Sequence, residues 1–234
     1  MARLPRLALA GMAHLVTQRA HGERTLFADD ADRVEFLRCL RAALQGGAVR
    51  LHAYALLADR LWLLLTPTAA ADSSRLLQNL GRSYTTAYNR RHGRAGTLWD
   101  GRYRCTVVEP GQGVRDAMLF VEQAPVRSGL SAAAGDWAWS SASHHLGALS
   151  DPLVSDAAEY WALGNTPFDR AAAYGSLVQD MLPAARAQAL AEAATKGWAI
   201  GSAAFLAQVQ ARVERPVAPR PRGRPRSMRQ SVPN

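Results

Sequence analysis

An α+β fold is predicted by three features of this sequence. Short runs of apolar residues with strand-like spacing recur four times in the first half of the chain. Two longer segments between these runs place apolar residues three and four positions apart, as in helices that pack on a sheet. After about residue 137 the composition becomes rich in alanine, which predicts a helical extension.

The first half of the chain predicts the order βαββ. A first strand is expected within residues 6–19, and a helix is expected to begin at Asp29 or Asp30. Residues 49–57 and 61–65 then predict a hairpin. The stripe of the first helix consists of Phe36, Leu37, Leu40 and Leu44.

The next segments complete the sheet. Residues 72–91 predict a second helix, residues 102–108 a fourth strand, and residues 113–123 an appended helix that ends at Pro125. The order βαββαβ is that of a ferredoxin-like fold. Further helices are predicted at residues 155–163, 167–181, 184–195 and 202–214. We therefore expect a core domain at 1–135, a helical extension packed on it at 136–214, and a disordered tail rich in Arg and Pro at 215–234.

Composition limits the functional class. The 234 residues carry a formal net charge of +9, which favours a polyanionic partner such as DNA. The chain has two cysteines, too few for a disulfide scaffold or a cysteine zinc site, as expected for a reducing cytoplasm. No apolar run reaches the roughly eighteen residues of a membrane span. We expect a cytoplasmic, nucleoid-associated protein, with its oligomeric state left open.

The C-terminal tail contains much of the excess charge. From Ala211 to Asn234 there are seven arginines and one acid, Glu214, so this stretch contributes six of the nine net charges. It contains Pro-Arg-Gly-Arg-Pro, the core of an AT-hook, whose arginines suit the narrow minor groove of A·T-rich duplex DNA. The alternative is non-specific binding of any polyanion. The expected contact residues are Arg220, Arg222, Gly223, Arg224 and Arg226.

A second basic and aromatic segment runs from the second helix into the fourth strand. Arginines interleaved with tyrosines suit single-stranded DNA, because guanidinium groups neutralise the backbone while bases stack on rings. The alternative is that Tyr84 and Tyr88 belong to the apolar stripe of the helix and that the arginines are solvated. The expected DNA contacts are Arg82, Tyr84, Arg90, Arg91, Arg94, Arg102 and Arg104.

Several motifs resemble one family in order and spacing. In the hairpin, Asp59-Arg60-Leu61-Trp62-Leu63 stands where that family has Asn-His-x-His-Leu. In the third helix, Leu119-Phe120-Val121-Glu122-Gln123-Ala124-Pro125-Val126-Arg127 stands for Arg-Tyr-Ile-Glu-Leu-Asn-Pro-Val-Arg. Further matches are Gly96-Thr97-Leu98-Trp99-Asp100-Gly101-Arg102-Tyr103-Arg104 and Trp139-Ser140-Ser141. The chain resembles the REP-associated tyrosine transposases, which are HUH single-strand transposases.

The resemblance implies a ferredoxin-like core, DNA hairpins as partners, and strand cleavage with Mg or Mn. Two histidines bind the ion, and a tyrosine attacks the phosphorus. Here the histidine positions are Arg60 and Trp62, the tyrosine position is Phe120, and a polar position near the metal is Ala124. Guanidinium and indole nitrogens offer no lone pair to a cation, and phenylalanine has no hydroxyl. We therefore expect an inactive site with no metal and no cofactor.

Three hypotheses follow. In the first, the protein binds single-stranded or hairpin DNA without cleaving it, using Arg60 as a fixed charge and Trp62 as a stacking surface. In the second, it is an active nickase whose nucleophile has moved to Tyr84, Tyr88 or Tyr103. In the third, the tail alone binds duplex DNA. His144 and His145 are adjacent and therefore expected to face different ways, as polar residues of the surface or a loop.

Overall fold

The computed structural model describes residues 5–22 and 24–219. The core contains β1 (His14–Arg19), α1 (Asp30–Leu44), β2 (Val49–Leu56), β3 (Arg60–Pro67), α2 (Asp72–Arg91) and β4 (Arg104–Val107). The four strands form one antiparallel sheet in the order β2-β3-β1-β4. This arrangement confirms the predicted α+β fold with its βαββαβ order.

The two faces of the sheet bury different apolar clusters. Since side chains alternate along a strand, Leu61 and Leu63 of β3 point to the face that α1 and α2 cover. Trp62 and Leu64 point to the other face, where α3 (Gln112–Glu122) lies with helices of the C-terminal half. The positions matched to catalytic residues therefore all lie on the side of the sheet that α3 covers.

Several predicted boundaries differ from the structure. The helices predicted at 155–163 and 202–214 are shorter, at Ala158–Trp161 and Ala203–Ala211. The first strand begins at His14, not at residue 6, because Leu7 and Leu9 pack instead in a third apolar cluster with Phe205 of the C-terminal half. Pro125 does not end the appended helix. That helix stops at Glu122, and Pro125 lies in the first turn of a short helix, α4 (Ala124–Arg127), where a missing backbone N–H costs no hydrogen bond.

The C-terminal half is helical, as predicted. It contains a 3₁₀ turn (Ala134–Asp136), α5 (Ala142–His145), α6 (Ala158–Trp161), α7 (Pro167–Gln179), α8 (Ala184–Lys196) and α9 (Ala203–Ala211). Helix α8 packs on β4 and β1. The chain remains packed beyond residue 214, since Val217 is buried against the third cluster. Among the described residues, no helix is both long and apolar enough to cross a membrane.

A fully buried carboxylate, Glu122, lies between α3 and the extension. It accepts hydrogen bonds from the hydroxyl of Ser141, from Nδ1 of His145 at 2.6 Å and from the hydroxyl of Tyr174 at 2.7 Å. Burial opposes the charged imidazole, but the adjacent Glu122 raises the pKa of His145 above its usual range. The expectation that His144 and His145 are surface residues is therefore wrong, since His145 is buried at this joint.

A second buried histidine gives a testable pH dependence. Nε2 of His14 accepts from the backbone N–H of Leu9, and Nδ1 donates to the carbonyl of Met12. Burial lowers the pKa of His14 to about 4. As the pH falls below about 6.5, His14 takes up a proton in the unfolded chain but not in the folded protein. The free energy of unfolding therefore falls as the pH falls.

We expect His14 to remove about 3 kcal/mol of unfolding free energy between about pH 6.5 and pH 4, from the size of its pKa shift. Urea unfolding across this range measures the loss. In the His14→Gln variant the same decrease in pH should lower the free energy of unfolding by less than it does in the unsubstituted protein. Parallel curves for the two proteins would contradict the assignment.

Candidate nucleic-acid interface

The positions matched to catalytic residues are neighbours in the structure. The rings of Trp62 and Phe120 meet edge to face, with centroids 4.8 Å apart. Ala124 is buried in the same cluster. The fold therefore brings together the strand position and the helix positions that the resemblance pairs. These three side chains form an apolar contact and offer neither a metal ligand nor a nucleophile.

Arg60 points to the same face as Trp62 but lies at the end of β3, where it is half-buried. The antiparallel register places Arg19 of β1 directly opposite Arg60. Two like charges in this position repel each other. Asp59 lies near both, with carboxylate oxygens 3.5 Å from Nε of Arg60 and 4.0 Å from Nε of Arg19. One carboxylate thus partly offsets two guanidinium groups.

A small cavity of about 110 Å³ opens beside these residues. The strand register places Thr17 between Trp62 on β3 and Arg104 on β4, so the three residues point to one face. The cavity volume corresponds to about four water molecules, or to one phosphate group. Arginines dominate the lining, which consists of Thr17, Gln18, Arg19, Arg60, Trp62, Asp100, Arg102, Arg104 and Thr195.

Two larger grooves adjoin the cavity. One, of about 600 Å³, runs between α2 and the segment that precedes β4, and it includes Arg6, Arg82 and Trp99. The other, of about 460 Å³, lies between β4 and the end of α8. All three spaces share Arg102, which precedes the edge strand of the sheet. We call this region the β4 surface, and its cationic residues are Arg6, Arg19, Arg60, Arg82, Arg102, Arg104, Lys196 and Arg215.

Aromatic side chains line the grooves, and contacts with neighbouring residues hold their rings in place. Tyr103 is mostly buried, with the guanidinium of Arg6 stacked 3.9 Å from its ring centroid and its hydroxyl 2.8 Å from that of Ser74. The indole N–H of Trp99 donates to the hydroxyl of Thr85 at 2.9 Å. These contacts fix the ring orientations, so the grooves present preformed apolar walls beside the arginines.

Two expected stacking residues are corrected by the structure. Tyr84 is completely buried, and its hydroxyl donates to the carbonyl of Leu26 at 2.5 Å. Trp62 is also buried, against Phe120. Neither ring has a face that a base could reach, so both pack in the core. For Tyr84 this is the alternative in which it belongs to the apolar stripe of its helix.

The predicted basic segment divides into two groups. Arg82, Arg102 and Arg104 lie on the β4 surface, whereas residues 90–94 lie at the C-terminal end of α2 and line none of its spaces. Arg91 is held at 2.5 Å by carboxylates of both Asp29 and Asp32. This pairing ties α2 to the start of α1. Arg91 therefore has a structural role within the fold, and its DNA contact stays a prediction.

Sequence reasoning did not select four of the cations, namely Arg6, Arg19, Lys196 and Arg215. They come from separate parts of the chain, and only folding brings them together. Arg215 donates to the carbonyls of Pro5 and Gly197, both at 2.6 Å, which fixes the start of the tail beside the groove. The predicted minor-groove residues Arg220, Arg222, Gly223, Arg224 and Arg226 lie outside the described residues.

Comparison with known proteins gives a structural match only. No family model and no curated protein matches the chain. A solved structure of a REP-associated tyrosine transposase bound to a REP hairpin is similar, with a TM-score of 0.54 and 15% identity. The match covers 68% of this chain and 93% of that one. At this identity it shows a shared fold.

The contact between Phe120 and Trp62 predicts a structural role for Phe120. Phe120→Ala should lower the free energy of unfolding by about 3–5 kcal/mol, because it leaves a cavity in a closed cluster. Denaturant unfolding measures the loss. Phe168→Ala is a matched control, since Phe168 is 80% exposed and its removal should change stability by less than about 0.5 kcal/mol. Equal effects of the two substitutions would contradict this role.

Proposed function

We propose that this protein is a DNA-binding relative of the REP-associated tyrosine transposases that recognises single-stranded or hairpin DNA without cleaving it. The observation that carries the proposal is the arginine-lined cavity beside Trp62. It lies where the resemblance would place the metal that polarises the scissile phosphate. In this chain Arg60 supplies a fixed positive charge instead.

Electrostatics support DNA as the ligand. The β4 surface brings together eight cationic side chains, while Asp59 and Asp100 are acids at its cavity. Arginine forms bidentate hydrogen bonds to phosphate oxygens and stays charged at physiological pH. Binding of a polyanion along this surface would release counterions and depend strongly on salt. The hairpin-bound state of the structural neighbour points to the same ligand class.

The shape of the grooves favours unpaired nucleotides over a regular duplex. The larger groove combines apolar walls, from Leu77 and Trp99, with the amide groups of Gln18 and Gln78. Such a groove suits a base that has left its stack, while the neighbouring arginines hold the backbone. A duplex exposes phosphates but keeps its bases paired, so it can use only the charged part of this surface.

Four substitutions support the loss of cleavage. Arg60 and Trp62 cannot bind a metal ion, Phe120 has no hydroxyl, and Ala124 has no polar group. The three tyrosines that could replace the nucleophile are also poorly suited to attack. The hydroxyl of Tyr88 donates to the carbonyl of Thr25. The hydroxyl of Tyr84 is held in the core by Leu26, and burial raises the pKa of Tyr103 above its usual range, which disfavours the attacking phenolate.

The main test compares DNA affinity in variants of the β4 surface. The double variant Arg102→Ala and Arg104→Ala should bind a labelled single-stranded REP-type hairpin about 10- to 100-fold more weakly, with a salt slope reduced by about two. Fluorescence anisotropy at several salt concentrations, with and without EDTA, measures both quantities. Arg41→Ala with Arg50→Ala is the matched control, because both side chains are exposed and line none of the three spaces.

Removing magnesium with EDTA should not weaken binding, because magnesium competes for the phosphates and is not needed by a fixed charge, and a denaturing gel should show neither a cut strand nor a covalent adduct. Phe120→Tyr should also fail to cleave, since Arg60 and Trp62 remain. Loss of affinity on chelation would contradict binding by a fixed charge. An adduct that disappears in Tyr103→Phe would instead establish a relocated nucleophile.

The tail is tested by a separate deletion. The cut should follow Pro219, because Arg215 and Val217 are packed on the folded chain and their loss would disturb it. Without residues 220–234 we expect hairpin affinity to stay within about tenfold and A·T-rich duplex affinity to fall further, since the tail contributes mostly charge. If all DNA binding is lost, the tail-only hypothesis is correct.

A further inference from the structure

Outside the β4 surface, two adjacent histidines and an aspartate converge. Nε2 of His144 lies 3.0 Å from a carboxylate oxygen of Asp156, and Nε2 of His145 lies 3.7 Å from the same oxygen. One ligand atom from each residue lies within 4.8 Å of the others. We infer that His144, His145 and Asp156 form a binding site for a divalent transition-metal ion of the zinc class.

The strongest support is an unpartnered nitrogen. His145 is completely buried, its Nδ1 bonds to Glu122 at 2.6 Å, and its Nε2 has no hydrogen-bond partner. Buried polar atoms nearly always have a partner, so this atom requires an explanation. Histidines that bind metals typically donate their other ring nitrogen to a carboxylate, as His145 does to Glu122. A metal cation between His145 and Asp156 would displace any proton on Nε2 to solvent and would provide the missing partner.

The second histidine has a competing hydrogen bond. The backbone N–H of Asp151 donates to Nδ1 of His144 at 3.0 Å, which places the ring proton on Nε2, facing Asp156. A metal ion at Nε2 must replace this proton. The displaced proton moves to Nδ1, so the ring gives up its bonds to both Asp156 and Asp151. Losing them costs about 10- to 100-fold in affinity, which is small beside the affinities of protein zinc sites.

The ligand set indicates the type of ion. Imidazole nitrogens suit zinc and its neighbours, whereas magnesium prefers oxygen ligands only. Two histidines and one carboxylate leave a fourth tetrahedral position open. The side chains of His144 and Asp156 are 16% and 21% exposed, so solvent can reach that position. A bound ion would fasten the loop at Asp156 to α5, next to the joint that Glu122 forms.

The test uses the untagged full-length protein after treatment with a chelator. Calorimetry with Zn²⁺ should show one site per chain, and Co²⁺ should give the visible absorption of tetrahedral coordination. Zn²⁺ should also raise the melting temperature, since it binds the folded state. Asp156→Asn should weaken binding at least about 100-fold, because it removes the anionic ligand. This variant keeps an acceptor for the Nε2–H of His144, so its fold should be preserved.

His92→Ala is the matched control. His92 also lies beside an aspartate, with Nε2 2.9 Å from Asp32, but no third ligand completes that pair among the described residues. This variant should bind Zn²⁺ as the unsubstituted protein does. No binding at all, or binding that Asp156→Asn leaves unchanged, would overturn the assignment. DNA affinity is measured separately, so the outcome does not depend on the proposed function.

Discussion

The hydrogen bonds to Glu122 join the two halves of this protein. A carboxylate without solvent contact is tolerated only if its oxygens are paired, and here Ser141, His145 and Tyr174 each donate to it. These donors come from the segments that follow the core. Because α3 carries both Glu122 and Phe120, the same network also fixes the ring that packs on Trp62. The apolar contact between Trp62 and Phe120 thus depends on a polar joint.

The cationic side chains lie apart from the buried residues on this side of the sheet. On the face of the sheet that α3 covers, Trp62, Phe120 and Ala124 form a dry contact. Cationic groups lie instead around the start of the edge strand, where side chains remain solvated and can reach a phosphate. The proposed function requires no more than this separation of a packed interior from a basic rim.

Local sequence patterns predicted much of the fold. The bounds of α2 were predicted correctly as residues 72–91, because its apolar stripe and the polar residues at its two ends indicate the same boundaries. The start of β1 was wrong because Leu7 and Leu9 have strand-like spacing but pack against Phe205, some two hundred residues away. The arginine cavity combines residues from β1, β3, β4 and α8, so no single segment could reveal it. The buried position of His145 was missed for the same reason, since its partner lies in α3.

The hydrogen bond from Arg215 to the carbonyl of Pro5 has a practical consequence for engineering. It holds the two ends of the described chain side by side, at the rim of a basic groove. A short linker from Pro219 back to Pro5 would keep Arg215 and the buried Val217 in place and allow new termini to be opened in a distant loop. A purification tag attached directly at residue 5 or residue 219 would, by the same geometry, lie close to the groove and compete with its ligand.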